Sequence, residues 1–419
     1  MHHRTCITVA IAAAVGIIGM ACGGSSTTTS SSGNQADPTA TIQVYSQKDP
    51  GLEGLLEQQI SDFTRAHPTI TVKVVHYETE QLRTNFQTAA ITHGGPEIVY
   101  GPNDNIGPWV ALKIIKPLDQ VLGRRFFEPF QPAAVGASSY KGHMYAIPDV
   151  YGNHLMLLYN KRLVTKAPTT TDELLSVARG LTDPVGGKFG LVFYENEAYW
   201  LMPWLGGFGG QVFDKSTRPT LDTAAMVNAL KFEKSMKADG VANQPADYDE
   251  ADSLFKAGQA AMIINGDWSL AEYKDTLSAD FGVAPLPQVT ATARWAAPYT
   301  ATRGYSINAA ASGDQLAAAK IFLRWISQVR ENVRIAQYGD IPAVTAAANG
   351  PAVKSDPILT ASAVALTHGT PQPIVPQMRA IYDAIKTPLA DVMSGKLDPA
   401  AAARQMQDDA VRRIQQRQQ

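Results

Sequence analysis

Glu195-Asn-Glu-Ala-Tyr-Trp200 places two carboxylates and two aromatic rings within six residues, a mix that a buried strand or helix would not tolerate. Carboxylates grip hydroxyl groups through charge-assisted hydrogen bonds. Flat rings cover the apolar C–H side of a pyranose. Paired carboxyl groups also serve glycoside hydrolysis when they face each other across the bond, and Asp104 with Glu197 is the pair available for that.

Other chemistries find less support. The eight histidines are scattered, and no H-E-x-x-H run occurs, so no metal-ligand spacing is visible. No G-x-S-x-G elbow is present. Gly206-Gly-Phe-Gly-Gly210 lacks the Gly-Lys-Ser/Thr ending of a phosphate-binding loop and reads as a turn. No cofactor is expected.

The bulk numbers describe a folded, nearly neutral protein. Of 419 residues, 45% are hydrophobic and 18% charged, with a net charge of −2. A chain of this length is expected to divide into two domains. Without a basic field there is nothing to engage a phosphate backbone, so nucleic acid is not an expected partner. The C-terminal cluster Arg404, Arg412, Arg413 and Arg417 alternates with Gln and Asp, as on the solvated face of a last helix.

The N-terminus carries an address. A short basic start (Arg4), the apolar run Cys6–Ala21 and small residues before Cys22 describe a secretory signal peptide over residues 1–21. The run is too short to span a membrane comfortably. Cleavage before Cys22 would leave one thiol in the mature chain, unable to form an internal disulfide. Gly23–Gly33 is rich in Ser, Thr and Gly, so residues 22–40 read as a flexible tether.

The elements that must position the candidates follow an α/β order. Strands are expected at 41–46, 70–75 and 97–100, with helices at 52–67 and about 80–92 between them, the signature of a largely parallel sheet. Extended segments follow at 140–148 and 154–159. Thr170-Thr-Asp-Glu173 is a capping box for a helix to Gly180, and Asp222 is expected to cap another ending before Gly240. A helix at 251–258, strands at 261–264, 281–284 and 305–307, and a long helix from Asp314 to about Tyr338 complete the pattern, with more helices at the C-terminus.

Several of these stretches are familiar. Tyr140-Lys-Gly-His-Met-Tyr-Ala-Ile-Pro148 with Leu158-Tyr159-Asn160-Lys161 resembles the first interlobe segment of bacterial sugar-binding proteins of ABC importers. Phe255–Trp268 is similar to the family's helix-strand-turn, whose Trp faces the ligand. Phe281-Gly-Val-Ala-Pro-Leu-Pro287 and Tyr305-Ser-Ile-Asn-Ala309 resemble its second crossing. Pro376-Gln377-Met378 before a Tyr and a long helix is similar to the tail of the maltose- and maltodextrin-binding branch. The resemblance runs from about residue 41 to 416. Gly19-Met20-Ala21-Cys22 separately resembles a bacterial lipoprotein signal with the cysteine lipidated, although Gly19 replaces the usual Leu.

The resemblance implies an α/β, two-lobe periplasmic-binding-protein-like fold with a hinge and an interlobe ligand cleft. One lobe would comprise 41–151 with 300–355, the other 152–299 with 356–419. The lobes would close on a bound sugar by hinge bending, a population shift. Carried over position by position, Glu197, Tyr199 and Trp200 match the family's acid and aromatic positions, and Trp268 and Tyr382 its stacking aromatics. Asp104 matches the acid that grips sugar hydroxyls, and Lys48 a basic residue at the cleft edge.

Three positions depart from the pattern: Gly101 stands in place of a Trp, Asn105 in place of an Arg, and Asn153 in place of a Glu. The implied ligand is a maltose/maltodextrin-type oligosaccharide, with trehalose, cyclodextrins or another oligosaccharide also compatible. The implied partners are the transmembrane subunits of an ABC permease and, through the N-terminal lipid only, the cell membrane; the chain would work as an extracytoplasmic monomer. The competing readings are a binder of a non-sugar solute such as a glycerophosphodiester or peptide, and a glycoside hydrolase.

Overall fold

The computed structural model describes residues 36–238 and 247–416. The expected signal peptide, Cys22 and most of the tether lie outside the described residues, as do Gly240 and Arg417. Two sheets organise the rest, each with its own core.

In the first sheet, Ala40–Ser46 pairs in parallel with Ile70–His76 on one side and Ile98–Pro102 on the other. Alternation drives the first of these inward at Ile42, Val44 and Ser46. The helix Pro50–Ala66 then returns along the sheet. Asp49 caps it by accepting from Leu52 N–H, Pro50 opens it, and Leu52, Leu55, Leu56 and Phe63 form its buried stripe. Losing such a cap costs about 1 kcal/mol. The sheet is mixed rather than largely parallel, because Tyr299–Ile307 enters antiparallel between Ile98–Pro102 and Ile147–Gly152. That strand is longer than the expected 305–307, and all nine of its residues are buried.

The second sheet runs Phe281–Ala284, Leu155–Asn160, Ala260–Gly266, Phe189–Phe193. Every residue of Ala260–Gly266 is buried, because helices cover both faces. Ala198–Gly207, Ala224–Ala238, Met378–Met393 and Pro399–Gln416 contribute to the core on one face. Tyr248–Lys256 and Leu270–Leu277 contribute to that on the other.

Some local expectations shift. Thr170 Oγ1 accepts from Glu173 N–H at 3.2 Å, but Glu173 reaches back to the N–H of Thr169 at 2.7 Å, one residue early. Thr223, not Asp222, caps the helix Ala224–Ala238, accepting from Met226 N–H. The long helix expected to Tyr338 breaks after Ile326 and restarts as Val329–Ile335. The intervening turn lets both Trp325 and Ile335 be buried.

The chain passes between the sheets at Gly152–His154, before Tyr299, and between Thr370–Pro371 and Met378. At the first crossing Asn153 adopts φ 46°, a left-handed conformation that Asn tolerates better than most residues. Gly152 is required there, since a Cβ would collide with the Asp267 carboxylate.

Candidate functional site

Glu197 is the N-cap of the helix Ala198–Gly207, which puts Tyr199 and Trp200 in its first turn. The acid-aromatic cluster thus runs from a turn at Glu195–Asn196 into a largely buried helix, which does accommodate it, and Asn196, Glu197 and Tyr199 remain partly open. Glu195 turns inward, nearly fully buried, and pairs with Lys237 at 2.9 Å. Tyr199 donates its phenol hydrogen to the backbone carbonyl of Asn153, tying this helix to the first crossing. The N–H of Asn153 in turn donates to Asp267 Oδ2 at 2.7 Å.

Trp268 follows the strand Ala260–Gly266 and is half-buried. Its indole N–H donates to the Tyr248 hydroxyl at 2.9 Å, and its ring lies 6.4 Å from that of Tyr199. Gly266 makes room for it, since a Cβ there would collide with the indole. Trp200 plays another part. It is 6% exposed and donates to the Ile264 carbonyl at 2.8 Å. Tyr194, Tyr199, Trp268 and Tyr248 surround it at centroid distances of 5.4, 6.0, 6.1 and 6.2 Å. It backs the other rings.

Tyr382 sits on the helix Met378–Met393 and accepts from the Gln372 amide at 2.9 Å. Burial raises the Tyr382 and Tyr199 phenols well above their ordinary range. The two bodies meet where Arg379, on the helix Met378–Met393, donates to Glu80 at 3.1 Å. Arg83 holds Asp104 at 2.9 Å, yet burial outweighs that pairing and raises the acid. Burial also raises Glu197, partly offset by Lys386.

Lys48 corrects an expectation. It is not a cleft-edge cation: it is 3% exposed, its ammonium is bonded to Asp149, and it lies 3.8 Å from the centroid of the Tyr100 ring. A buried cation needs such partners, so its charge is committed to the interior. Asn153 contributes mainly backbone; its side-chain amide reaches the Tyr199 hydroxyl at 3.4 Å.

A cavity of about 560 Å³ opens beside Asp104 between the two bodies, lined among others by Glu80, Arg83, Gln377, Arg379 and Ile414. Glu197, Tyr199, Trp268 and Tyr382 are not in its lining. Sequence reasoning missed Tyr248, Arg83, Gln372, Lys386 and Tyr299, whose ring is 6.2 Å from Tyr199. Of these only Lys386 had a local signal, a position on the helix already carrying Tyr382. Among the described residues no cluster of His, Cys, Asp or Glu is arranged to hold a metal ion.

The second body gathers Tyr199, Trp200, Trp268 and Tyr248 into one aromatic cluster, while Asp104 of the first lines the cavity between the bodies. A family model described as bacterial extracellular solute-binding protein matches residues 58–361. The chain is 29% identical over 351 residues to the maltotriose-binding protein of Pyrococcus abyssi (strain GE5 / Orsay), covering 82% of this chain and 76% of that protein. A maltooligosaccharide ABC transporter solute-binding lipoprotein of Streptococcus pneumoniae (strain ATCC BAA-255 / R6) is 26% identical over 336 residues, 77% of this chain and 76% of its own. Among solved structures, the maltose/maltodextrin-binding domain from Bdellovibrio bacteriovorus bound to maltotriose superposes with a TM-score of 0.86 at 36% identity, covering 90% of this chain and all (100%) of that one. The two-lobed α/β architecture is common to these proteins, and this chain belongs to the bacterial extracellular solute-binding proteins.

Proposed function

We propose that the protein captures a maltose/maltodextrin-type oligosaccharide between its lobes and delivers it to an ABC importer. The observation that carries this reading is the cluster of Tyr199, Trp200 and Trp268 rings in one lobe, with the Arg83-held Asp104 on a cavity that both lobes line. Asp104 and Glu197 would grip hydroxyls, and Tyr199, Trp268 and Tyr382 would cover the apolar faces of the sugar. Trp200 would hold the rings in place. The lobe limits 41–151 with 300–355 and 152–299 with 356–419 belong to the same reading.

The protein acts by binding and not by turnover. Arg83 occupies one oxygen of Asp104, which suits a fixed hydrogen-bond acceptor better than a group that must shuttle protons. Calorimetric titration with a panel of di- and oligosaccharides tests the ligand. Maltotriose should bind and be recovered intact; release of reducing ends would replace this reading with a hydrolase.

The protein is an extracytoplasmic monomer anchored through lipidated Cys22, with permease transmembrane subunits as partners. A sequence related to a named lipoprotein supports this, together with the signal around Cys22. Cys22 in the native membrane form should resist thiol reagents; ready labelling would make the protein freely secreted.

A further inference from the structure

His154 stands at the first crossing with one side of its ring unsatisfied. It is fully buried, and its Nε2 lies 3.0 Å from the carbonyl oxygen of Ser362. A carbonyl only accepts, so Nε2 carries the hydrogen and Nδ1 of the neutral ring is left as a lone pair. Nδ1 makes no hydrogen bond. It faces Asp267 Oδ2 at 3.9 Å, a second acceptor. Gly152 keeps the gap clear, since a Cβ there would stand 2.1 Å from Asp267 Oδ2 and 3.3 Å from His154 Nδ1.

Asp267 is already committed elsewhere. Its Oδ2 accepts from Asn153 N–H at 2.7 Å, and the Asn153 carbonyl accepts from the Tyr199 hydroxyl. Trp268 follows Asp267 directly in the chain, with its ring 6.4 Å from that of Tyr199. One carboxylate thus fixes the turn that carries Trp268 and, through one residue's backbone, the ring of Tyr199. Its other oxygen, Oδ1, has no hydrogen bond and stands 4.0 Å from Arg303 Nη2.

Two charged groups bear on the His154 ring: Asp267, on the turn after Ala260–Gly266, and Arg303, on the strand Tyr299–Ile307. Arg303 is itself paired with Asp340 and Asp49. The helix Pro357–Leu366 presents the uncharged carbonyl and hydroxyl of Ser362. A proton on Nδ1 would turn the gap into an ion pair. Nδ1–H would then compete with Asn153 N–H for Oδ2, and a second cation would stand beside Arg303. Burial holds that proton off at neutral pH, lowering His154 below its ordinary 6.5.

We propose that His154 is a positioning residue of the sugar site: neutral, it leaves Asp267 to hold Asn153 and the rings beyond it, and protonated, it draws Asp267 away and weakens binding. This rests on the sugar-binding reading above and adds its regulation, a site that grips at neutral pH and loosens in acid. Linkage makes the effect reciprocal, because a sugar that prefers the neutral form must oppose uptake of the proton.

Calorimetric titration of the full chain with maltotriose at pH 8 and pH 5 tests this in the wild type and in His154→Gln. The glutamine offers Ser362 an amide N–H and does not titrate. Asp104 and Glu197, both raised by burial, are present in both proteins, so the comparison isolates His154. The loss of affinity from pH 8 to pH 5 should be about fivefold or more greater in the wild type. Equal losses, with maltotriose still bound, overturn the role of His154 and leave the sugar-binding reading standing. A wild type that binds no neutral oligosaccharide at either pH overturns that reading, and this one with it. Should His154→Gln fail to fold, the imidazole titration of the wild type by NMR decides. Bound maltotriose should move the His154 titration to lower pH, and an unmoved titration overturns the proposal.

Discussion

Arg379, on the helix Met378–Met393 of the second lobe, donates to Glu80 of the first lobe at 3.1 Å. The contact belongs to a chain of charges. Arg379 also pairs with Asp383 at 3.0 Å, and Glu80 with Arg83 at 2.6 Å. Arg83 in turn holds Asp104. The bridge exists only with the lobes together, and it ends on a proposed ligand-binding acid.

Glu80→Gln removes this bridge and should weaken closure. Glu80 is largely exposed, so the bridge is worth only ~0.2–1 kcal/mol. Maltotriose affinity should drop by up to about fivefold at low salt. The difference should vanish near ~1 M salt, where surface charges are screened. Titrations of both proteins at two ionic strengths check this; equal affinities at low salt would remove the bridge from the closure equilibrium.

Trp268→Ala should abolish measurable sugar binding. Tyr248→Phe is the subtler probe, since it removes only the hydroxyl that holds the indole N–H. Its affinity should fall several-fold with little change in the melting temperature, by the ~1 kcal/mol scale of one hydrogen bond. Unchanged affinity in Trp268→Ala would take that ring out of the site.

Glu233 sets a pH dependence of stability. It is fully buried with neither carboxyl oxygen hydrogen-bonded, and burial, with Glu195 nearby, raises its pKa well above the ordinary 4.5. The folded protein thus holds a proton that the unfolded chain releases above about 4.5. Stability from this group is whole below that pH and declines as pH rises toward the folded value. Glu233→Gln should melt higher than wild type at pH 7–8, with the gap closing near pH 4. A constant gap across that range would contradict the assignment.

Arg303, buried on the strand Tyr299–Ile307, pairs with Asp340 and with Asp49 at 3.1 Å, and stands 4.0 Å from Asp267. Asp267 follows a strand of the second sheet and holds the Asn153 backbone at the first crossing. Arg303→Met leaves buried carboxylates uncompensated and should cost about 3–5 kcal/mol. The loss should be smaller at pH 5 than at pH 8, because Asp340, whose pKa burial already raises, can then take up a proton. Thermal melts at the two pH values measure it.

Much of the frame was legible from local pattern. Alternation at Ile42 and Val44, the apolar stripe from Leu55 to Phe63, and the apolar run Ala261–Ile264 each declare their element, because periodicity acts within a few residues. The motifs around Trp268 and Tyr382 were legible only through their resemblance to sugar-binding proteins. The break after Ile326 was not, since the sequence there lacks a helix breaker and burial of Trp325 and Ile335 on separate axes decides it.

For the site, the chain by itself determined which acids and rings are available and which motifs carry them. The tertiary structure alone decided their roles. Lys48 and Trp200 carry suitable groups, but long-range contacts with Asp149, Tyr100 and Ile264 turn both inward. Gln47 and Asn105, 58 residues apart by their numbering, both crowd against Gly101 only because neighbouring parallel strands bring them there. Burial and charge pairing depend on such distant neighbours, and no local spacing encodes them.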